Sequence, residues 1–181
     1  GSARASACEP AMIDVSNLVV RLGGKAVVKE VSFAAEPGTL TAICGPNGSG
    51  KTTTMKAISG ELAYQGSVHM NGSEIGSLQA WQLAEMRGVL PQASSISFPF
   101  TVREIVRMGL TSGLNLHPDQ ADETTAKALA AVDLTGFEGR FYQELSGGEQ
   151  QRVQLARVLC QIAEPVVDCK PCCLLLDAPV P

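Results

Sequence analysis

A glycine-rich stretch, GPNGSGKTTT, occupies residues 45–54 and directly follows the apolar run TLTAIC at residues 39–44. The apolar run is typical of a short buried strand, and the segment KTTTMKAISG predicts a helix that ends at Gly60. The stretch fits the pattern G-x-x-x-x-G-K-[ST] in full, in the strand–loop–helix setting that the pattern requires. This feature restricts the chain to an α/β fold with an anion-binding loop.

The residues of this loop predict a site for a nucleotide triphosphate. Glycines let successive backbone N–H groups point into one hollow, and the following helix adds the positive end of its dipole. Lys51 is expected to contact the β- and γ-phosphates, and the Thr52 hydroxyl to bind Mg²⁺. The predicted nucleotide contacts are Gly45, Pro46, Asn47, Gly48, Ser49, Gly50, Lys51, Thr52 and Thr53. The alternative, a glycine turn that only caps a helix, is disfavoured by the strand–loop–helix setting.

The remaining hydrophobic patterns predict an α/β core with a helical insertion. Two β-rich runs at 12–22 and 26–35, joined by GGK, are typical of an antiparallel hairpin. In the strongly amphipathic helix at 147–162, Leu155, Val158, Leu159 and Ile162 fall on one face. Further strands are predicted at 66–72, 88–92 and 172–177, and further helices at 78–86, 101–110 and 119–132. We therefore predict one domain over 12–181 with a helical lobe at 93–150, preceded by disordered residues 1–11.

Composition and charge exclude several classes of protein. The chain has 181 residues, with 14 Lys and Arg against 18 Asp and Glu, giving a net charge of −4. This balance argues against a general nucleic-acid binder, which needs clustered cations to contact phosphates. No apolar run approaches the roughly 18 residues of a membrane-spanning helix, and GSARASACEP at the N-terminus lacks the apolar region of a signal peptide.

The six cysteines include a small cluster at Cys169, Cys172 and Cys173. Without a secretory signal, reduced thiols are expected. The cluster could be half of a zinc site or a redox pair, but no second CxxC or nearby histidine pair completes four ligands. We therefore favour a surface loop whose last cysteine begins a buried strand.

A second motif, LSGGEQQR, spans residues 145–152, and its serine lies 95 residues after Lys51. Taken by itself, Ser146 predicts a helix N-cap whose capping box is closed by Glu149. The motif also resembles the signature sequence of the ABC ATPase family. In that family, this helix start has few side-chain atoms and faces the γ-phosphate of ATP held by a second copy. The matching residues here are Ser146, Gly147 and Gly148. Both interpretations can hold at once.

The resemblance assigns roles to further residues in chain order. Gln92 matches the glutamine loop, which contacts Mg²⁺ and the attacking water, and Asp177 matches the Walker B aspartate, which holds Mg²⁺. The implied catalytic residues are Gln92 and Lys51, and the implied metal ligands are Thr52, Gln92 and Asp177. The implied fold is a P-loop NTPase, or RecA-like, core with an N-terminal antiparallel β subdomain and an inserted helical lobe.

A narrower resemblance concerns VLPQASSISFPFTVREIV together with LSGGEQQRVQLARVLCQI, which look like segments of hemin importer ATP-binding subunits. It implies ATP and Mg²⁺ as cofactors and a head-to-tail dimer of two copies beneath membrane permease subunits. It also implies a peripheral location on the cytoplasmic face of the bacterial inner membrane, with no nucleic-acid partner. Phe98, Phe100 and Val102 are candidate contacts for a permease helix, or else they form the core of the lobe.

The sequence departs from the family at three places. In the family, an aromatic residue just before the first turn stacks on adenine. This chain has Arg21 and Leu22 there instead. Ala178 replaces the catalytic glutamate that the family carries directly after Asp177. No D-loop or switch histidine is found before Pro181, since His69 and His117 lie too far upstream to be that histidine. We therefore expect a C-terminally truncated chain that binds ATP but hardly hydrolyses it. A fragment, an engineered Glu-to-Ala change, a pseudoenzyme and a soluble non-transport ABC ATPase all remain open.

Overall fold

A computed structural model of the chain describes residues 12–90, 96, 98–111, 118–163 and 172–177. The chain forms two compact units, residues 1–79 and 80–181. The predictions made for residues 1–11, Gln92, His117, Cys169 and Ala178 lie outside the described residues.

The first unit is built on an antiparallel sheet that begins with the predicted hairpin. Strand β1 (Ile13–Leu22) pairs with β2 (Lys25–Ala35), so that Gly23 and Gly24 alone form the turn. Their φ angles of 56° and 81° match the two-residue turn that suits the natural twist of a hairpin. Strands β3 (Gln65–Met70) and β4 (Ser73–Glu74) complete the strand order β2-β1-β3-β4.

Helix α1 (Lys51–Ile58) packs against β1 and β2 in this unit. Thr54, Ala57 and Ile58 are its buried residues, and their spacing of three and four places them on one face. The helix is followed by Ser59 and by Gly60, whose φ of 76° stops it where the sequence predicts.

The prediction of a buried strand at residues 39–44 is wrong in this structure. The segment forms no strand, and Leu40 is 93% exposed. An apolar run indicates where a strand could pair, but a strand is stabilised by hydrogen bonds and side-chain pairs with a neighbour. None of the strands described here pairs with this segment.

The second unit combines a short parallel sheet with helices. Helix α2 (Ala80–Met86) leads into β5 (Arg87–Leu90), which pairs in parallel with β6 (Cys173–Leu176). The helices predicted at 101–110 and 119–132 are present as α3 (Val102–Arg107) and α4 (Pro118–Ala131), and α3 tightens into a 3₁₀ turn at Met108–Thr111. A second 3₁₀ turn at Tyr142–Glu144 precedes α5 (Gly147–Ile162). Within the described ranges, no helix is long and apolar enough to cross a membrane.

Helix α5 is buried on more of its circumference than the sequence predicts. Of the predicted apolar face, Val158 is buried, whereas Leu155, Leu159 and Ile162 are half-buried. A second side is also buried, because Val153, Ala156 and Cys160 belong to a hydrophobic cluster with α3, α4 and the segment before α5. The cluster contains Val102, Ile105, Val106, Leu110, Ala121, Ala128, Leu129, Val132, Leu134, Tyr142 and Leu145. Helix α5 therefore joins the helical cluster to the parallel sheet.

Gly109 lets the 3₁₀ turn after α3 pack closely against the backbone of α5. A Cβ on this glycine would lie 2.1 Å from the backbone oxygen of Arg157 in α5. We expect Gly109→Ala to destabilise the chain by about 1–3 kcal/mol, because backbone must shift to admit one methyl group. Gly139→Ala is the matched control, since a Cβ there meets nothing within 4 Å. Urea unfolding of both variants measures the difference, and equal midpoints would contradict the close packing.

Candidate functional site

The glycine-rich loop, residues 45–50, lies in the first unit and begins α1. Gly50 is the N-cap residue of α1 with a φ of 94°, and no side chain caps the helix. Gly48 also has a positive φ, of 80°, and the Ser49 N–H donates to the Pro46 carbonyl at 3.2 Å. Residues 45–49 are exposed. The loop therefore presents an exposed helix N-terminus without a side chain over it, which suits an anion.

Lys51 places its charge directly on this loop. Its Nζ donates to the carbonyl oxygens of Gly45 at 2.6 Å and Pro46 at 2.9 Å. The next two side chains differ in exposure, because Thr52 is exposed and Thr53 is half-buried. The loop, the Lys51 ammonium and an exposed hydroxyl are thus brought together as the sequence predicts. Together they can bind an anion through backbone donors and one cation.

The second predicted phosphate-facing surface is the start of α5, in the second unit. Ser146 caps this helix, and the predicted capping box is confirmed: the Ser146 N–H and O–H donate to the Glu149 carboxylate at 2.8 and 2.6 Å. Gly147 and Gly148 are exposed, and a Cβ at either would meet nothing within 4 Å. The surface is therefore open to a partner or ligand.

Two glutamines that the sequence analysis did not assign hold the segment before this helix start. The Gln150 side chain donates to the carbonyls of Tyr142 at 3.1 Å and Leu145 at 3.2 Å. Gln154 is buried and donates to the Tyr142 hydroxyl at 3.3 Å. Gln154 lies four residues after Gln150, which places both on the side of α5 that faces this segment. Helical spacing of two polar residues beside an apolar stripe is the only sequence signal that could have identified them.

Asp177 follows the last residue of β6, at the carboxyl end of the parallel pair. Its backbone N–H donates to the Leu90 carbonyl of β5 at 3.1 Å, and its side chain is half-buried. Gln92 comes two residues after β5 but lies outside the described residues. The carboxyl ends of parallel strands are where α/β sheets bind ligands, so the placement of Asp177 suits the role the resemblance implies.

Burial raises the pKa values of Cys160, Cys172 and Cys173 in the second unit. Cys173 begins β6 as predicted, and burial raises its pKa to about 11. Burial also raises the pKa of Cys172, whose thiol contacts the Glu85 carbonyl at 3.3 Å. Among the residues that the structure describes, no group of histidine, cysteine and carboxylate side chains could hold a metal ion.

The three candidate contacts on the helical lobe have different exposures. Val102 is fully buried in the hydrophobic cluster and Phe100 packs against it, so the surface interpretation is wrong for Val102. Phe98 is 66% exposed, and its ring centroid lies 5.3 Å from that of Phe100. Only Phe98 is substantially available to another molecule.

Comparison with known proteins assigns the chain to a family. The family model described as ABC transporter matches residues 28–180. A hemin import ATP-binding protein of Rhizobium leguminosarum is 78% identical over 169 residues, which cover 93% of this chain and 64% of the relative. A protein of the same name from Rhizobium meliloti is 61% identical over 173 residues, with the same coverage. The chain thus spans a little less than two thirds of the length of these relatives.

The fold is shared with a solved ABC transporter component. The structure of cbiO1 from Clostridium perfringens, part of the transporter complex cbiONQ, matches with a TM-score of 0.77 at 24% identity. The match covers 92% of this chain and 64% of that one. At this identity the likeness establishes the P-loop NTPase fold and nothing finer.

The capping box predicts how stability varies with acid. Hydrogen bonds from the Ser146 side chain and backbone lower the pKa of Glu149 in the folded chain. A carboxyl group whose pKa is lowered by folding stabilises the fold above its unfolded pKa of about 4.3 and loses that contribution as pH falls through the folded value. We expect Glu149→Gln to be less stable than the parent at pH 7 and closer to it at pH 3.

Thermal unfolding at the two pH values measures this effect. Glu144→Gln is the control, because Glu144 is an exposed carboxylate on the preceding 3₁₀ turn. A stability difference between the parent and Glu149→Gln that stays constant from pH 7 to pH 3 would rule out the capping carboxylate as its source.

Proposed function

The chain belongs to the ABC transporter family, and on that premise we propose that it is the nucleotide-binding subunit of a bacterial importer. The importer couples ATP binding and hydrolysis to the uptake of hemin or a related iron chelate. Relatives at 78% and 61% identity are named hemin import ATP-binding proteins, which supports the substrate. Because the chain spans about two thirds of their length, its activity is a proposal.

The geometry of the phosphate loop is the observation that carries the proposal. The Lys51 ammonium lies on the carbonyls of Gly45 and Pro46, beside the uncapped N-terminus of α1. A triphosphate carries negative charges that such a site can bind by charge-assisted hydrogen bonds. On binding, Lys51 would exchange its bonds to the carbonyls for bonds to phosphate oxygens.

The oxygen ligands present suit a magnesium ion. Mg²⁺ prefers hydroxyl and carboxylate oxygens together with substrate phosphates, and the implied ligands Thr52, Gln92 and Asp177 offer oxygen donors. When bound, the ion would neutralise charge on the phosphates. Thr52 would hold it from the loop.

The proposed assembly follows from the two phosphate-facing surfaces. Ser146, Gly147 and Gly148 would complete the site formed by residues 45–53 of a second copy, so that ATP brings two copies together head to tail. The dimer would bind membrane permease subunits from the cytoplasmic face of the inner membrane. Of the three candidate contacts, Phe98 is the exposed side chain that could contact a permease.

A binding-only protein of the same family is the alternative that a specific residue favours. Ala178 stands where the family resemblance implies the general base, so hydrolysis would be weak even if nucleotide binding is intact.

A soluble non-transport ATPase is the further alternative. Affinity capture from a detergent extract of membranes separates these classes, because recovery of ribosomes or DNA without permease subunits would exclude the importer.

Removal of the Lys51 ammonium should weaken nucleotide binding. A hydrogen bond to a charged group contributes about 1.5–3 kcal/mol, so Lys51→Ala should raise the Kd for Mg-ATP about tenfold to more than a hundredfold. Lys56→Ala is the matched control, since Lys56 is an exposed lysine in the last turn of the same helix. Calorimetry measures both, and an unchanged affinity in Lys51→Ala would refute the phosphate-binding role.

A substitution at residue 178 should change the rate of ATP hydrolysis with little change in the affinity for ATP. A general base contributes about 10²- to 10⁴-fold to a rate, and a methyl group can neither accept a proton nor orient water. In a chain extended to the length of the relatives, Ala178→Glu should therefore raise phosphate release by that factor with little change in the Kd for Mg-ATP. Equal turnover with Ala and Glu at 178 would show that another residue is the base, and Gln92 would be tested next.

A further inference from the structure

The start of α5 carries a negative charge that opposes its proposed role. Glu149 lies in the first turn, and its Oε2 accepts hydrogen bonds from the Ser146 N–H at 2.8 Å and the Ser146 O–H at 2.6 Å. The side-chain and backbone bonds from Ser146 lower the pKa of the Glu149 carboxyl, so the group is ionised near neutral pH. The triphosphate of a second copy is also an anion, and like charges repel. The carboxylate should therefore weaken the binding of that triphosphate.

The guanidinium of Arg140 faces the other oxygen of this carboxylate. Its Nη1 lies 3.9 Å from Glu149 Oε1, which is beyond hydrogen-bonding distance, so the two groups interact through their charges. The Arg140 side chain is 45% exposed and the Glu149 side chain 22%, so solvent and salt reach the pair. Ser146 thus holds one carboxylate oxygen in place, and Arg140 offsets the charge from the side of the other.

Arg140 is held in this position by its ring contact and by its backbone. The guanidinium carbon lies 4.6 Å from the centroid of the Phe137 ring, a cation–π contact. The Arg140 N–H donates to the Phe137 carbonyl at 3.0 Å, and the Arg140 carbonyl accepts from the Val102 N–H at 2.9 Å. Val102 begins α3 and is fully buried in the hydrophobic cluster. The position of the cation is therefore anchored to the core of the helical lobe.

A second cation on α5, Arg152, is engaged at another helix. Its charge also acts on the Glu149 carboxylate, but its Nη1 donates to the Val132 carbonyl at 3.4 Å. Val132 directly follows the last residue of α4, where the helix dipole favours a positive charge. The ion pair that the structure describes for Glu149 is the one with Arg140. Arg140 is therefore the cation to test for an effect on this carboxylate.

We propose that Arg140 is a positioning residue for the pairing of two copies, because its charge offsets the Glu149 carboxylate at the surface that meets the second copy's triphosphate. With the two charges balanced, the backbone N–H groups at the start of α5 can attract the phosphates. The inference rests on the proposed nucleotide-driven dimer. A dimer of identical copies with reciprocal contacts contains this surface twice, so the effect of one substitution is doubled in free energy.

Light scattering with Mg-ATP measures the dimer dissociation constant and tests the charge at residue 140. An exposed charge pair changes an equilibrium by up to about fivefold, so Arg140→Gln, which acts at two surfaces, should raise the constant about three- to twenty-five-fold. Arg140→Lys keeps the charge and should pair nearly as the parent does.

Arg107→Gln is the matched control and should leave the dimer dissociation constant unchanged. Arg107 is also an arginine of an ion pair in this unit, with its Nη1 3.1 Å from the Asp122 carboxylate. It lies two residues before Gly109, which contacts α5 at Arg157, about 15 Å along the helix from its start. The control therefore removes the same charge at a place remote from the start of α5.

Substitution of Glu149 separates an effect of charge from an effect on folding. Glu149→Gln should destabilise the fold at pH 7, yet it removes the repelling charge and should lower the dimer dissociation constant by about the same factor. Arg140→Gln combined with Glu149→Gln should return the constant to near the parent value. All these differences should shrink in 1 M salt, where the screening length is about 3 Å. A double variant that pairs more weakly than either single variant would show that the residues act through folding, and the inference would be wrong.

The affinity of the monomer for nucleotide separates this inference from the proposed function. Calorimetry at protein concentrations below the dimer dissociation constant should give the parent and Arg140→Gln the same Kd for Mg-ATP, because residues 45–53 are unchanged. If the parent forms ATP-dependent dimers and Arg140→Gln pairs equally tightly, the inference fails and the proposed function stands. If the parent does not bind Mg-ATP, the proposed function fails. If it binds Mg-ATP but does not pair, the proposed dimer fails, and the inference fails with it.

Discussion

The close contact between Gly50 and β2 is the constraint on which the proposed nucleotide site depends. An anion is bound best by backbone N–H groups that no side chain covers, and the left-handed conformation of Gly50 starts α1 with its N-terminus uncapped. A side chain at this residue would press on the Val27 carbonyl, so the loop can approach the sheet only with glycine here. The same contact places β2 directly beside the loop.

Helix α5 has a comparable role in the second unit. One end is an exposed, capped N-terminus with Gly147 and Gly148 free of neighbours, while the body is buried between the helical cluster and β5. Because a helix is rigid over this length, the packing of Val153 and Ala156 also determines where its N-terminus lies. Gln150 and Gln154 add hydrogen bonds that connect the helix to the preceding turn.

The departures from the family fall outside the phosphate loop. Arg21 and Leu22 stand where the family has an aromatic residue, and Ala178 stands where it has the catalytic glutamate, whereas the loop retains every residue that its pattern requires. Triphosphate binding depends on ground-state electrostatics, and hydrolysis depends on a base that acts only in the transition state. One chain can therefore preserve triphosphate binding while its rate of hydrolysis changes.

The sequence by itself determined the features whose partners lie close along the chain. The two-glycine turn, the start of α1, the capping box of Ser146 and Glu149, and the start of β6 at Cys173 all depend on residues a few positions apart. Only the tertiary structure decided the features that need distant partners. Residues 39–44 have strand-like composition but pair with no described strand, α5 is buried on two sides, and Gly109 lets a turn touch the α5 backbone. Sequence periodicity indicates which face of a helix or strand is apolar. The burial of that face, the pairing of a strand and the close approach of two backbones depend on which other elements pack against it.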